Sequence, residues 1–367
     1  MVSKNEFYNT LKSLAEVLGV SGYEDEVRGL VIDMLKPYAD EVRVDALGNV
    51  IAVKKGSKGG GRVMLAGHMD EIGLMVSNID KNGFLRVQPV GGWNSVVLPG
   101  QRVQILTSRG DKVLGVIGHI PPHILKPDEA KQVPELKSLF IDVGAKSRED
   151  VEKMGVEIGS VVVIERTVER LGRGDVVSGK AFDDRVGVAV MIHAFKEVEN
   201  NEADLYAVAT VQEEVGLKGA RTSAYRISPD VAIALDVTVA ADVPDVKESE
   251  QISKLGKGPA IKLMDGRSGS GLLTNPHVKK LLLEAAKAED IPYQLEVLSG
   301  GTTDATIIAL NKEGVPAGVI SIPTRYIHSP VEVLDLEDCV NATRLTKAFV
   351  ERATLDWLEE IKGGKVK

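Results

Sequence analysis

Apolar runs of strand length alternate with amphipathic helical stretches over most of this chain, and the alternation breaks once, in the middle. Strands separated by helices imply a mainly parallel sheet covered on both faces. The segment from Ile72 to about Thr167 cannot belong to that sheet. Its valine-rich runs, such as Gly115–Gly118 and Ser160–Ile164, are short and divided by glycine and proline, with helical periodicity only near Ser147–Met154. The expectation is an α/β fold, a mainly parallel mixed sheet sandwiched by helices, with an inserted small β-barrel-like domain. Residues 1–72 and 168–367 make the larger domain in two parts, and residues 73–167 make the insert. A length of 367 residues suits this division, at roughly 100–200 residues per domain.

Phe7, Leu11, Leu14, Ala15 and Leu18 recur at helical spacing, and Glu24 to Leu35 gives a second helix that Pro37 stops. Strands are expected at Glu41–Val44, Asn49–Val53, Arg62–Gly67, Leu205–Val211, Val231–Leu235, Tyr293–Val297 and Gly318–Ile322. Helices are expected at Arg185–Val198 and Asn275–Ala288, and from Asp304 and Leu336 onward. Gly56–Gly61 is glycine-rich but lacks the Lys-Ser/Thr ending of a phosphate loop and reads as a turn.

Composition removes several function classes. A formal net charge of -8 argues against a nucleic-acid partner. A single cysteine, Cys339, rules out an intrachain disulfide and a thiolate metal cluster, and its helical surroundings make it a core residue. No apolar run is long enough for a membrane span, so a cytoplasmic enzyme is expected. Aromatic residues are 4% of the chain, too few for sugar-binding platforms.

Candidate chemistry collects where strands run out. His68 and Asp70 follow the Met64–Gly67 run, Glu213 and Glu214 follow Tyr206–Gln212, and Asp236 follows Ile233–Leu235. His328 comes a short loop after Val319–Ile322, and Asp183 lies just before a helix, where the dipole favours an anion. In open α/β sheets, ligands gather beyond the carboxyl ends of strands. Imidazole and carboxylate are donors that zinc accepts, and a two-metal site needs a bridging carboxylate. Extended backbone would place His68 and Asp70 on one face, where Asp70 can take the imidazole hydrogen that points away from metal. It would also aim Glu213 and Glu214 in opposite directions, one toward metal and one toward water. His193 reads as a core residue and His277 as exposed, while His119 and His123 flank Pro121-Pro122 in the insert.

Five strings carry a resemblance: Leu65–Gly73 (LAGHMDEIG), Ala181–Arg185 (AFDDR), Gln212–Gly216 (QEEVG), Ala234–Asp236 (ALD) and Tyr326–Ser329 (YIHS). Together with Gly300–Asp304 they resemble the tetrahedral, TET-type dinuclear zinc aminopeptidases over essentially the whole chain. The resemblance implies a zinc-exopeptidase fold with two divalent metal ions per subunit, zinc or cobalt. Asp183 would bridge them, with His68 and Asp236 completing one site and Glu214 and His328 the other. Glu213 would be the general base and Asp70 the partner of His68. It also implies short peptides with a free N-terminus as substrates, and a homododecamer built through the insert.

Metallo-carboxypeptidases and N-acyl amino acid deacylases share a similar ligand set but place their second domain later. Here the whole insert separates Asp70 from Asp183, which is the TET-type order. A non-catalytic assembly protein would have no use for Glu213. Pocket walls that set substrate preference are expected in the Leu263–Leu272 and Ser299–Asp304 loops. The Ile120–Leu136 loop reads either as a segment reaching a chamber or neighbour or as a plain surface loop.

Overall fold

The computed structural model describes residues 1–124, 132–172 and 174–362. Two helices open the chain, α1 (Lys4–Glu16) and α2 (Asp25–Leu35). Ser3 caps α1 by accepting the Glu6 amide at 3.1 Å, and Phe7, Leu11, Leu14 and Ala15 bury one face of it. Three strands follow, β1 (Glu41–Val44), β2 (Val50–Lys54) and β3 (Arg62–His68). Only Arg62 of β3 is exposed, as befits a strand covered on both faces.

The chain then leaves the sheet. Strands β4 (Gly73–Ile79), β5 (Leu85–Val90), β6 (Arg102–Leu106), β7 (Lys112–Gly118), β8 (Phe140–Asp142) and β9 (Val161–Ile164) close into a barrel, in the order β4-β5-β8-β7-β6-β9. Leu74, Leu85, Ile105, Ile117 and Ile141 fill its interior, so the barrel is a packed core rather than a channel. Helix α3 (Arg148–Met154) starts on the Ser147 cap and stops at Gly155, whose φ of 83° suits glycine. Leu18 and Val20 pack against Val161 and Val163 where the barrel meets the larger domain. Of the Ile120–Leu136 loop, residues 125–131 lie outside the described residues.

The return path supplies β10 (Glu169–Arg170), β11 (Val176–Gly179), α4 (Phe182–Glu197), β12 (Asp204–Thr210), α5 (Lys218–Ile227), β13 (Val231–Val239) and β14 (Ala260–Met264). It ends with α6 (Pro276–Ala288), β15 (Gln294–Val297), α7 (Asp304–Ala309), β16 (Ala317–Arg325), β17 (Glu332–Asp335), α8 (Leu336–Arg352) and α9 (Leu355–Ile361). The sheet order is β1-β2-β12-β3-β13-β16-β17-β11-β10, with β14 on β16 and β15 on β14. Its centre, β12-β3-β13-β16, is parallel, and both flanks are antiparallel. Helices α1, α2, α4, α6 and α8 bury one face of the sheet, and α5 and α7 cover the other. The fold is therefore a mixed α/β sandwich with an inserted closed barrel.

Two expectations shift. Strand β13 continues past Leu235 to Val239 because β16 pairs with it as far as Thr324, so Asp236 sits within a strand rather than beyond its end. The chain at Leu263 is part of β14, held between β16 and β15, and not a loop. Cys339 and His193 are buried and His277 is exposed. Among the described residues no helix is long and apolar enough to cross a membrane.

Candidate active site

The parallel centre of the sheet delivers the site. β3 ends on His68, and the next turn buries Asp70 completely. The Asp70 carboxylate accepts the Ser21 hydroxyl at 2.6 Å and the amides of Glu213 and Glu214 at 3.0 and 3.2 Å. His68 Nδ1 lies 3.1 Å from the Asp70 carbonyl oxygen and 3.5 Å from its Oδ1, so the backbone oxygen is the nearer partner of the ring. Glu213 and Glu214 follow β12 not in extended chain but after Gln212, whose φ of 55° turns the backbone.

Asp183 is the hub. Its Oδ1 is 3.1 Å from His68 Nε2, and its Oδ2 is 3.3 Å from His328 Nε2. Asp236 joins the first pair and Glu214 the second, giving two triads that share Asp183 and whose donor atoms lie within 4.8 Å of one another. His328 Nε2 is 3.2 Å from Glu214 Oε1, and that buried oxygen has no partner in full hydrogen-bond geometry. Glu213 Oε2 stands 3.9 Å from His68 Nε2, beside the triads without belonging to either.

The electrostatics match such crowding. Burial opposes the charging of His68, but Glu213, Asp183 and Asp70 outweigh it and hold the imidazole well above its usual range. His328 is pushed up to about 11, burial being outweighed by Asp183 and Glu214. Burial also opposes ionisation of Asp183, yet hydrogen bonds from both histidines hold it below the usual carboxylate range. Burial, reinforced by neighbouring carboxylates, pushes Glu213 and Asp236 well above that range and raises Glu214. Four acidic groups withdrawn from water around two imidazoles are costly without strong positive charge. With the orphaned Glu214 oxygen, this donor set fits two divalent cations.

A family model described as M42 glutamyl aminopeptidase matches residues 48–345, most of the chain. The chain belongs to that family. Lysyl aminopeptidase of Pyrococcus furiosus is 42% identical over 348 residues, covering 94% of this chain and 96% of the relative. Aminopeptidase APDkam598 of Desulfurococcus kamchatkensis superposes with a TM-score of 0.96 at 54% identity, covering 99% of both chains. The TET1 peptidase of Pyrococcus horikoshii, which assembles into a tetrahedron or a large octahedral shell, gives 0.83 at 34% identity, over 94% of this chain and 99% of its own.

In this M42 chain three acids around the site, Glu332, Asp184 and Asp304, received no role from the sequence. Glu332, buried at the start of β17, accepts the Asp183 amide at 3.1 Å with one oxygen and the His328 amide at 3.0 Å with the other. Asp184 is likewise buried and accepts the His68 amide at 3.1 Å. Asp304 takes the Thr210 hydroxyl at 2.5 Å beneath the end of β12. A lone acid at the head of an apolar strand was the available signal for Glu332. His119 lines a separate cavity on the barrel and does not reach the Asp183 centre.

Proposed function

We propose that this metal-dependent aminopeptidase releases single residues from short peptides with a free N-terminus, with Glu213 as general base. The observation that carries it is the pair of contacts that Asp183 makes, one oxygen toward His68 and the other toward His328. His68 and Asp236 would hold one divalent ion, Glu214 and His328 the other, and Asp183 would span both. When bound, the ions supply polarisation of the scissile carbonyl and acidification of the attacking water. Zinc and cobalt both suit imidazole and carboxylate donors.

Glu213 lies outside both triads with its side chain 10% exposed, and its amide is anchored by Asp70. Its position beside His68 Nε2 suits a base that takes a proton from the attacking water. It returns that proton to the leaving nitrogen as the C–N bond breaks. The carboxylate-rich wall favours a free N-terminal ammonium over a blocked one, which restricts cleavage to the first residue.

Residues 1–72 and 168–367 would form the catalytic domain, and residues 73–167 an insert for self-association into a homododecamer. The exposed apolar side chains of Val96, Leu114 and Val116 on the barrel support a role in contacts between copies, as does the shell assembly of the Pyrococcus horikoshii relative. A cytoplasmic location belongs to the same proposal and suits a lone, buried thiol.

The test compares aminoacyl-p-nitroanilides with their N-acetylated forms, after EDTA treatment and after zinc or cobalt add-back. Metal-dependent cleavage of the free-amine substrates alone is expected. Cleavage of blocked substrates only would point instead to a deacylase.

A further inference from the structure

Lys262 on β14 and Glu296 on β15 stand opposite one another in the parallel register. Their side chains meet at 3.0 Å, with Lys262 2% exposed and Glu296 fully buried. Thr238, two residues beyond Asp236 on β13, donates its hydroxyl to the same Glu296 oxygen at 2.5 Å. The pair is thus tied directly to the strand that carries a candidate metal ligand.

Lys262 also forms part of the wall of a cavity of about 390 Å³ that holds the His68, Asp183 and His328 centre. The same cavity is walled by Leu217, Val237, Val239, Leu298 and Ile327. Of the loops expected to set preference, Ser299–Asp304 contributes Gly301, Thr302 and Thr303, and Leu263–Leu272 contributes nothing to the wall. Among the described residues Lys262 is the one lysine or arginine lining this cavity, and its charge is the feature that an N-terminal side chain would read.

We propose that Glu296 cancels the charge of Lys262, so that the cavity selects peptides whose N-terminal residue carries an uncharged aliphatic side chain. The proposal rests on the aminopeptidase reading above and names its substrate class. A bare ammonium at this wall would draw a carboxylate, and a bare carboxylate would draw an ammonium. Paired, they present no net charge, and an incoming charged side chain loses its water without gaining a counter-ion. Asp265, another buried acid near the pair, accepts the Leu272 amide at 2.5 Å and does not line the cavity. Family membership leaves the matter open, since its description names a glutamyl enzyme and the Pyrococcus furiosus relative is lysyl.

The experiment measures kcat/KM on leucyl-, glutamyl- and lysyl-p-nitroanilide, and calorimetric binding of the three free amino acids, with metal-loaded protein. The wild type, Glu296→Gln, Lys262→Met and the double variant are compared. The wild type favours leucine in both readouts. Glu296→Gln, which keeps the acceptor for Thr238, raises glutamate relative to leucine by about tenfold, the scale of one close charge pair. Lys262→Met raises lysine relative to leucine, and the double variant returns to the wild-type order. A wild type that favours glutamate or lysine overturns the proposal. So do single variants that melt like the wild type yet leave both ratios within about twofold. If Lys262→Met does not fold, the isosteric Glu296→Gln carries the test. Leucine binding in preference with no cleavage of any amide would sink the aminopeptidase reading and leave the pocket assignment standing.

Discussion

Asp70 accepts the backbone amide of Glu213 at 3.0 Å, so the turn after β3 fixes the turn after β12. The same carboxylate takes the Glu214 amide and the Ser21 hydroxyl and has no exposed surface. An asparagine there could accept through one atom only and would set its NH₂ group against a donor. Asp70→Asn is expected to lower kcat/KM by about 10–100-fold through displaced Glu213 and Glu214, in the range seen when partners of metal ligands are removed. Steady-state kinetics with parallel metal analysis checks it. Unchanged kinetics would mean that the two glutamates hold their places without Asp70.

Glu332 acts on the ligands through their backbones. Its two oxygens receive the amides of Asp183, which both triads share, and of His328, which belongs to one. Glu332→Gln leaves one of those amides facing an NH₂ group, and Glu332→Ala leaves both unpaired. Both variants are expected to hold metal about 10–100-fold more weakly, alanine more so than glutamine. Titration against a chelating dye reads the affinity directly, and wild-type affinity in both variants would contradict the assigned role.

Much of this site was legible because chemistry and position coincided. His68, Asp183, Glu214, Asp236 and His328 are ligand-type residues placed near sheet-core strands, and apolar periodicity locates those strands. Glu332 escaped because it works through backbone amides, one at His328 four residues away and one at Asp183 that only tertiary packing brings near. Asp236 was expected beyond a strand end, since nothing in β13 itself says that β16 runs alongside to Thr324. Glu213 and Glu214 were expected in extended chain, whereas the backbone turns at the left-handed Gln212 just before them. Lys262 and Glu296 lie far apart in sequence, and only the register of β14 and β15 joins them. Helix α5 was not anticipated because its sheet-facing side is built on small residues, Ala220 and Ala224.

His193 gives the protein an acid-sensitive site remote from the Asp183 centre. It is buried against Phe7, with Nε2 3.0 Å from the Thr10 hydroxyl and Nδ1 unpartnered. Burial brings its value down to about 4, with Glu6 opposing and Lys196 assisting. The folded value lies below the unfolded one near 6.5, so its contribution is fully present above pH 6.5. It is lost as pH falls toward 4, in total about 3 kcal/mol. His193→Gln removes the titration, so urea midpoints measured across this window should fall less steeply for the variant than for the wild type. Parallel profiles would assign the acid sensitivity elsewhere.

The central claim is that Glu213 moves the proton and does not hold the metal. The most direct measurement is kcat of Glu213→Gln on a free-amine aminoacyl-p-nitroanilide, at metal content matched to the wild type. The account predicts two equivalents of metal bound as in the wild type, with kcat lower by about 10²–10⁴-fold. A fully metallated variant that turns over at the wild-type rate would contradict it and remove Glu213 from the reaction.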